Sequence, residues 1–270
     1  MVPVLDAFSA PYMQRALVEI ALLAVLAGVL GAWIVLRRLA FFTHSVGTAT
    51  FPGLVVASAW GIAPQLAALG AALGFAGLRE RMARGRESEE DAATGILLVA
   101  ALALGALLAS DVYRSGAGVD RLLFGTLIGL SDRDLVLTAI AAALALAADA
   151  GLRRAWLARA FDPEGVRALG VAVTGPERLL LAAVAGAVIV ALAAVGALLV
   201  SVVLVVPAAT VRLVARDLRT LQLGTGALAA VEGVAALWLA DGLNVAPGPA
   251  MAVLGGAVFA LVAVLARGRA

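Results

Sequence analysis

The sequence predicts an all-α fold, a single bundle of helices that cross a lipid bilayer. Three observations predict it. Of the 270 residues, 63% are hydrophobic and only 14% are charged, against about 45–50% and about 25% in a soluble domain. The mean hydropathy is +1.06. The apolar residues also gather into runs close to the ~20 residues that a bilayer asks of a helix.

Taken in order, the runs are 14–36, 41–60, 63–80, 92–110, 132–152, 177–195, 197–215, 221–240 and 247–266, each bounded by charges, Pro or Gly. The run 197–215 reads equally as a half-span, which sets the expectation at eight to nine spans. What remains between the runs is too short and scattered for a second domain, so residues 1–270 form one transmembrane domain. The first run has neither a basic leader nor a small-residue cleavage site, and is read as a span rather than a signal peptide.

Arginine placement orients the bundle. All 20 basic residues are arginine. With the N-terminus outside, Arg37, Arg38, Arg79, Arg81, Arg84, Arg86, Arg153, Arg154, Arg159, Arg167, Arg178, Arg212, Arg216, Arg219, Arg267 and Arg269 face the cytoplasm. Only Arg15, Arg114, Arg121 and Arg133 then lie outside. That asymmetry satisfies the positive-inside rule and puts the C-terminus in the cytoplasm.

The composition excludes several chemistries. There is no cysteine and a single histidine, so thiolate and multi-histidine zinc sites within one chain are out. The chain lacks lysine, and with it the lysine of a phosphate-binding loop. No hydrolase pattern occurs, and no basic stripe with interleaved aromatics suggests nucleic acid. The sequence offers no catalytic centre.

Ionisable residues inside the runs stand out, because a charge at bilayer depth is costly and normally faces a cavity or a partner. Glu19 lies in the first run and Glu232 near the middle of the eighth. Each reads either as a lining residue of a polar path or as a carboxyl hydrogen-bonded to a neighbouring helix; for Glu19 an ion pair with Arg15 is a further option. Asp149 is placed to pair with Arg153 one turn on. Asp111, Asp120, Asp132, Asp134 and Asp241 make the outer face acidic, suited to divalent cations or to a basic docking protein.

Two loops carry further signals. In the outer loop 111–131 the amphipathic stretch Arg121–Leu130 reads as an interfacial helix or a lid. In the cytoplasmic segment FDPEGVRALG (161–170), Asp162 is a good N-cap, Pro163 suits the first helical position and Glu164 complements the positive helix end. Gly170 supplies a stop, and Val166 and Leu169 share a face between them. A short capped helix of this kind packs on its own helix ends or docks on a soluble partner.

At this point the sequence resembles the integral-membrane permeases of bacterial ABC importers for zinc and manganese. The blocks PYMQRAL, GAWIVLRRLAFFTHSVGTATFPG, RLLFGTLIGLSDRDL, FDPEGVRALGV, VGALLVSVVLVVPAATVRLVARDLRTLQL and PGPAMAVLGGAVFAL carry the resemblance, in order, over nearly the whole chain. It implies a multi-pass protein of the bacterial cell membrane, embedded in the lipid bilayer, with two copies around a central path. It implies two cytosolic ATP-binding subunits that hydrolyse ATP, and an extracytoplasmic metal-binding protein that delivers cargo. The segment matching 161–171 is the coupling helix of that family, which gives Asp162, Pro163, Glu164, Val166, Arg167, Leu169 and Gly170 a docking role. No cofactor is bound permanently; the metal is cargo.

One departure bears on that cargo. Many members carry an Asp and, four residues later, a His at the entry to the second helix. Here His44 and Thr48 stand in those places. Four residues apart, both lie on one helix face, but the carboxylate is gone. Imidazole suits zinc and carboxylate-rich sets suit manganese, so zinc is preferred over manganese. A permease for a bulkier metal chelate, of the siderophore or cobalamin type, and a secondary transporter driven by an ion gradient remain as alternatives.

Overall fold

The computed structural model describes residues 10–83, 87–112, 123–125, 127–162, 165, 174–243 and 245–267, and the elements among them are helical. Seven helices are long and apolar enough to cross a membrane. These are α1 (Pro11–Leu36), α2 (Ala40–Trp60), α4 (Glu87–Leu107, continued by a π-helical turn Leu108–Val112), α5 (Asp132–Phe161), α6 (Thr174–Val195), α8 (Leu218–Leu243) and α9 (Pro247–Arg267). The runs 63–80 and 197–215 differ from the other seven. They fold as α3 (Pro64–Ala83), whose apolar part stops at Leu78, and as α7 (Val200–Arg212), and neither apolar stretch is long enough alone.

Local chemistry sets the helix boundaries. Pro11 and Pro247 occupy first turns, where their missing N–H has no partner to lose. Ser131 and Asp134 form a reciprocal capping box at the head of α5, and Asp134 also accepts from Gln65 Nε2 at 2.8 Å, tying α3 to α5. Asp217 accepts from the Thr220 N–H and hydroxyl, both at 2.8 Å, ahead of α8. Those bonds, the backbone one first, hold its carboxyl below the usual carboxylate range. Helix α2 breaks at Thr50, two residues before Pro52, which has no N–H to donate to Thr48.

Ion pairs mark the two ends of the bundle. Arg15 pairs with Asp132 at 2.9 Å at one end. At the other, Glu177 takes Arg37 at 3.0 Å and also Arg159. Helix α6 runs from Glu177 up to Val195, and Gly248 at the start of α9 packs on the Val195 carbonyl. The first and last helices therefore begin at the same end, and Arg267 falls at the arginine-rich one. Between the ends, Trp33 and Trp156 are the largest fully buried side chains. Their rings meet edge to face, centroids 5.3 Å apart and planes at 73°, an arrangement favoured by the ring quadrupoles.

The least regular part of the fold is a reversal inside the bundle. Between α6 and α7 the chain turns at Gly196–Leu199, with Val195, Ala197 and Val200 all buried. The described part of the loop 111–131 folds inward against this turn, with Leu127 and Leu130 buried. The Leu198 N–H donates to the Leu123 carbonyl at 3.1 Å. Gly125 (φ 69°) and Gly196 (φ 83°) touch backbone to backbone, both in the left-handed region. A Cβ on either would run into the other segment, and a Cβ on Gly248 would sit 2.6 Å from the Phe124 carbonyl. Three chain segments meet where only glycine fits.

Gly196→Ala should therefore destabilise severely. The left-handed backbone alone costs an alanine about 1–2 kcal/mol, and the clash with Gly125 adds to it. Thermal unfolding of the purified protein in detergent checks this; an unchanged midpoint would mean the two segments are not in contact.

Candidate functional site

The polar side chains that sequence reasoning singled out sit in four places. His44 lies one turn into α2, half-buried, with Nδ1 3.1 Å from the Ser201 hydroxyl of α7. Thr48 is fully buried one turn further on, and its hydroxyl donates to the His44 carbonyl at 3.0 Å. The Thr48 bond is thus to the His44 backbone, while the His44 ring meets Ser201, a hydroxyl from another helix. No sequence signal pointed to Ser201, since it follows Val200 in an apolar run like any other small residue.

Glu19 is fully buried in α1. It does not pair with Arg15, which is taken by Asp132. Its Oε1 instead accepts from the Thr138 hydroxyl of α5 at 2.9 Å, while Oε2 has no hydrogen-bond partner. Glu232, 6% exposed in α8, also has an oxygen, Oε1, with no partner. Its carboxyl packs over Gly255 of α9 and beside Val206 of α7; a Cβ on Gly255 would lie 3.4 Å from Oε2. Glu19 faces α5 and Glu232 faces α7 and α9, so the fold does not gather them. Among the described residues, no three His, Asp or Glu side chains are grouped to hold a metal ion.

The capped segment is visible at its start. The N–H of Gly165 donates to Asp162 Oδ1 at 2.8 Å, the bond expected of an N-cap aspartate. Asp162 also closes α5, its own N–H donating to the Ala158 carbonyl at 2.9 Å. A Cβ on Gly165 would collide with the Asp162 carboxyl. Pro163, Glu164, Val166, Arg167, Leu169 and Gly170 lie outside the described residues.

A fourth polar cluster was only half foreseen. Asp149 and Arg153 pair one turn apart as expected, but they form part of a larger node. Trp33 Nε1 donates to Asp149 Oδ1 at 2.7 Å and Gln222 Nε2 to the same oxygen at 3.1 Å. Arg153 Nη2 donates to Gln222 Oε1 at 3.0 Å. The node joins α1, α5 and α8, with Asp149 and Gln222 buried. It satisfies a carboxylate that would otherwise stand alone in an apolar bundle.

An all-helical bundle of this hydropathy, with buried carboxyls between helices and a capped turn at its arginine-rich end, is that of a multi-pass membrane permease. The chain belongs to the ABC 3 transport family, whose profile matches residues 9–267. It is 28% identical over 256 residues to the manganese transport system membrane protein MntC of Halalkalibacterium halodurans, covering 93% of this chain and 86% of that protein. It is 29% identical over 251 residues to the manganese import system permease protein ScaB of Streptococcus parasanguinis, covering 93% and 89%. The structure of PsaBC from Streptococcus pneumoniae in complex with Fab superposes with a TM-score of 0.86 at 25% identity, over 96% of this chain and 94% of that one. A metal-chelate type ABC transporter in an inward-facing conformation shares the fold, with a TM-score of 0.70 at 18% identity over 95% and 89%. The resemblance to the permease subunits of metal ABC importers is borne out, and with it a multi-pass place in the bacterial plasma membrane.

The node makes a prediction of its own. Arg153→Met removes the partner of a buried carboxylate and should cost about 3–5 kcal/mol, whereas the further change Asp149→Asn should restore much of that loss. Chemical unfolding of both variants tests the sign; equal stability of the single and double variants would show that the loss does not come from leaving Asp149 without its partner.

Proposed function

We propose that the chain is the transmembrane subunit of an ATP-driven importer that carries a divalent transition metal into the cytoplasm. The cap at Asp162–Gly165 carries this reading. It follows a helix that runs 30 residues from Asp132 to Phe161, well past the ~20 that a bilayer needs, on the arginine-rich side. The positive-inside rule makes that side cytoplasmic, with the N-terminus outside and the C-terminus within. There the segment 161–170 seats on a cytosolic ATPase subunit, which hydrolyses the ATP. A second copy of the chain completes the path, with a second ATPase beneath it, and an extracytoplasmic metal-binding protein delivers cargo to the outer face.

The cargo reading rests on the donor set. His44, Thr48 and Ser201 offer one imidazole and two hydroxyls, neutral groups that coordinate weakly enough for an ion to leave again. Imidazole in place of a carboxylate supports zinc. Manganese is the second reading, supported by the names of the MntC and ScaB relatives. Glu232, with an oxygen free of partners, supplies the negative charge along the path; Glu19, bonded to Thr138, contributes less.

Uptake by vesicles holding the full transporter tests each part. Gly165→Pro should abolish uptake while ATP hydrolysis and membrane insertion persist, because proline removes the N–H that binds Asp162; normal uptake would overturn the docking assignment. His44→Ala should lower zinc uptake, and the double change His44→Asp with Thr48→His should shift preference toward manganese. Unchanged zinc-to-manganese ratios would move selection to the delivery protein. Glu232→Gln should slow uptake on the order of tenfold, equivalent to ~1.4 kcal/mol of lost charge stabilisation; wild-type rates would remove it from the path.

A further inference from the structure

A groove of about 820 Å³ runs between α1, α5 and α8, open at the bundle surface. Its walls are stripes at helical spacing: Ala21, Val25 and Val29 on α1, Leu146 on α5, and Leu223, Ala227 and Ala230 on α8. Its floor is low because α1 and α8 approach closely there: a Cβ on Gly28 would lie 2.9 Å from the Gln222 carbonyl and 3.2 Å from the Gly226 Cα. Two guanidinium groups line one end of this apolar slot. Arg153 shares that end with Gln222, to which it is bonded, and Arg219 lies one turn before Gln222 on the same face of α8.

Neither arginine is fully used. Arg153 spends Nε and Nη2 on Asp149 and Gln222, and its side chain stays 38% exposed. Arg219 is exposed and lies near the Asp217 carboxylate. Arg153 and Arg219 sit at the end of the bundle that holds Arg37, Arg159 and Glu177. That is the headgroup level of a membrane, while the slot below them lies at acyl-chain depth.

We propose that this groove binds one anionic phospholipid, its phosphate on Arg153 and Arg219 and an acyl chain along the slot between α1 and α8. The charge complementarity selects the occupant. A zwitterionic lipid brings a cationic group toward the same two guanidiniums, and an uncharged hydrocarbon offers them no phosphate. Asp149 also lines the groove, but its carboxylate is bonded to Trp33, Arg153 and Gln222. None of His44, Thr48, Glu19 and Glu232 lines the groove.

The test is native mass spectrometry of the full-length chain in detergent, titrated with phosphatidylglycerol or phosphatidylcholine. Phosphatidylglycerol should be retained as one tight adduct and phosphatidylcholine should not. Arg219→Ala should weaken that adduct roughly fivefold, the worth of one arginine near a charged lipid. Ala227→Trp, which fills the slot from an exposed position, should remove the adduct altogether while leaving the melting temperature unchanged. Equal retention of the two lipids, or an unaltered adduct in both variants, would overturn the proposal. So would a protein occupant: the chain has no cysteine, and Ala227→Cys should therefore form no disulfide-linked dimer in membranes. A dimer linked there would assign the groove to a second copy.

Discussion

Lipid offers no hydrogen bonds, and the structure follows from that constraint. A backbone amide left unpaired at bilayer depth costs several kcal/mol, so the described residues are helical almost throughout. The exception is instructive. At Gly196–Leu199 the chain reverses inside the bundle, and the Leu198 N–H is paired by a carbonyl from the distant Leu123. Non-helical backbone is admitted here because another irregular segment, folded in from the loop, supplies the missing acceptor. Each segment is a condition for the other, and the glycines at their contact let them come close enough to bond.

Polar side chains obey the same rule with different solutions. Asp149 is surrounded by Trp33, Arg153 and Gln222, so its charge is shared across three helices. Glu19 finds one hydroxyl, and Glu232 leaves an oxygen without any. The ranking runs from fully paired to unpaired. At the arginine-rich end, Glu177 bridges Arg37 and Arg159 and locks the head of α6 to the tails of α1 and α5.

What the sequence revealed was the local part of this. Helix runs, the Asp149–Arg153 pair and the Asp162 cap all depend on residues within a turn or two of one another. The partners of Asp149 that lie on α1 and α8 are 116 and 73 residues away, and nothing in a run of apolar residues announces which face meets them. In water, amphipathic periodicity would have pointed inward; in lipid both faces are apolar, so the pattern carries no direction. The same blindness left 197–215 open between a span and a half-span, since a turn buried in protein and a helix buried in lipid have similar composition. Glu19 was offered Arg15 because that residue is one turn away, but Asp132 holds it and Thr138 is the actual neighbour.

Helix α5 is 30 residues long and has no proline or glycine break except Gly151, so it extends for ~45 Å as one rod. Its head carries Asp132 and, two turns in, the Thr138 that holds Glu19; its foot is the residue that caps the segment beyond. A rod of that length behaves as a lever. A tilt of a few degrees imposed at Asp162 arrives at Asp132 as a sideways displacement of ångströms, with no need for a relay of side chains between. The node at Asp149, roughly midway, is where such a lever would pivot.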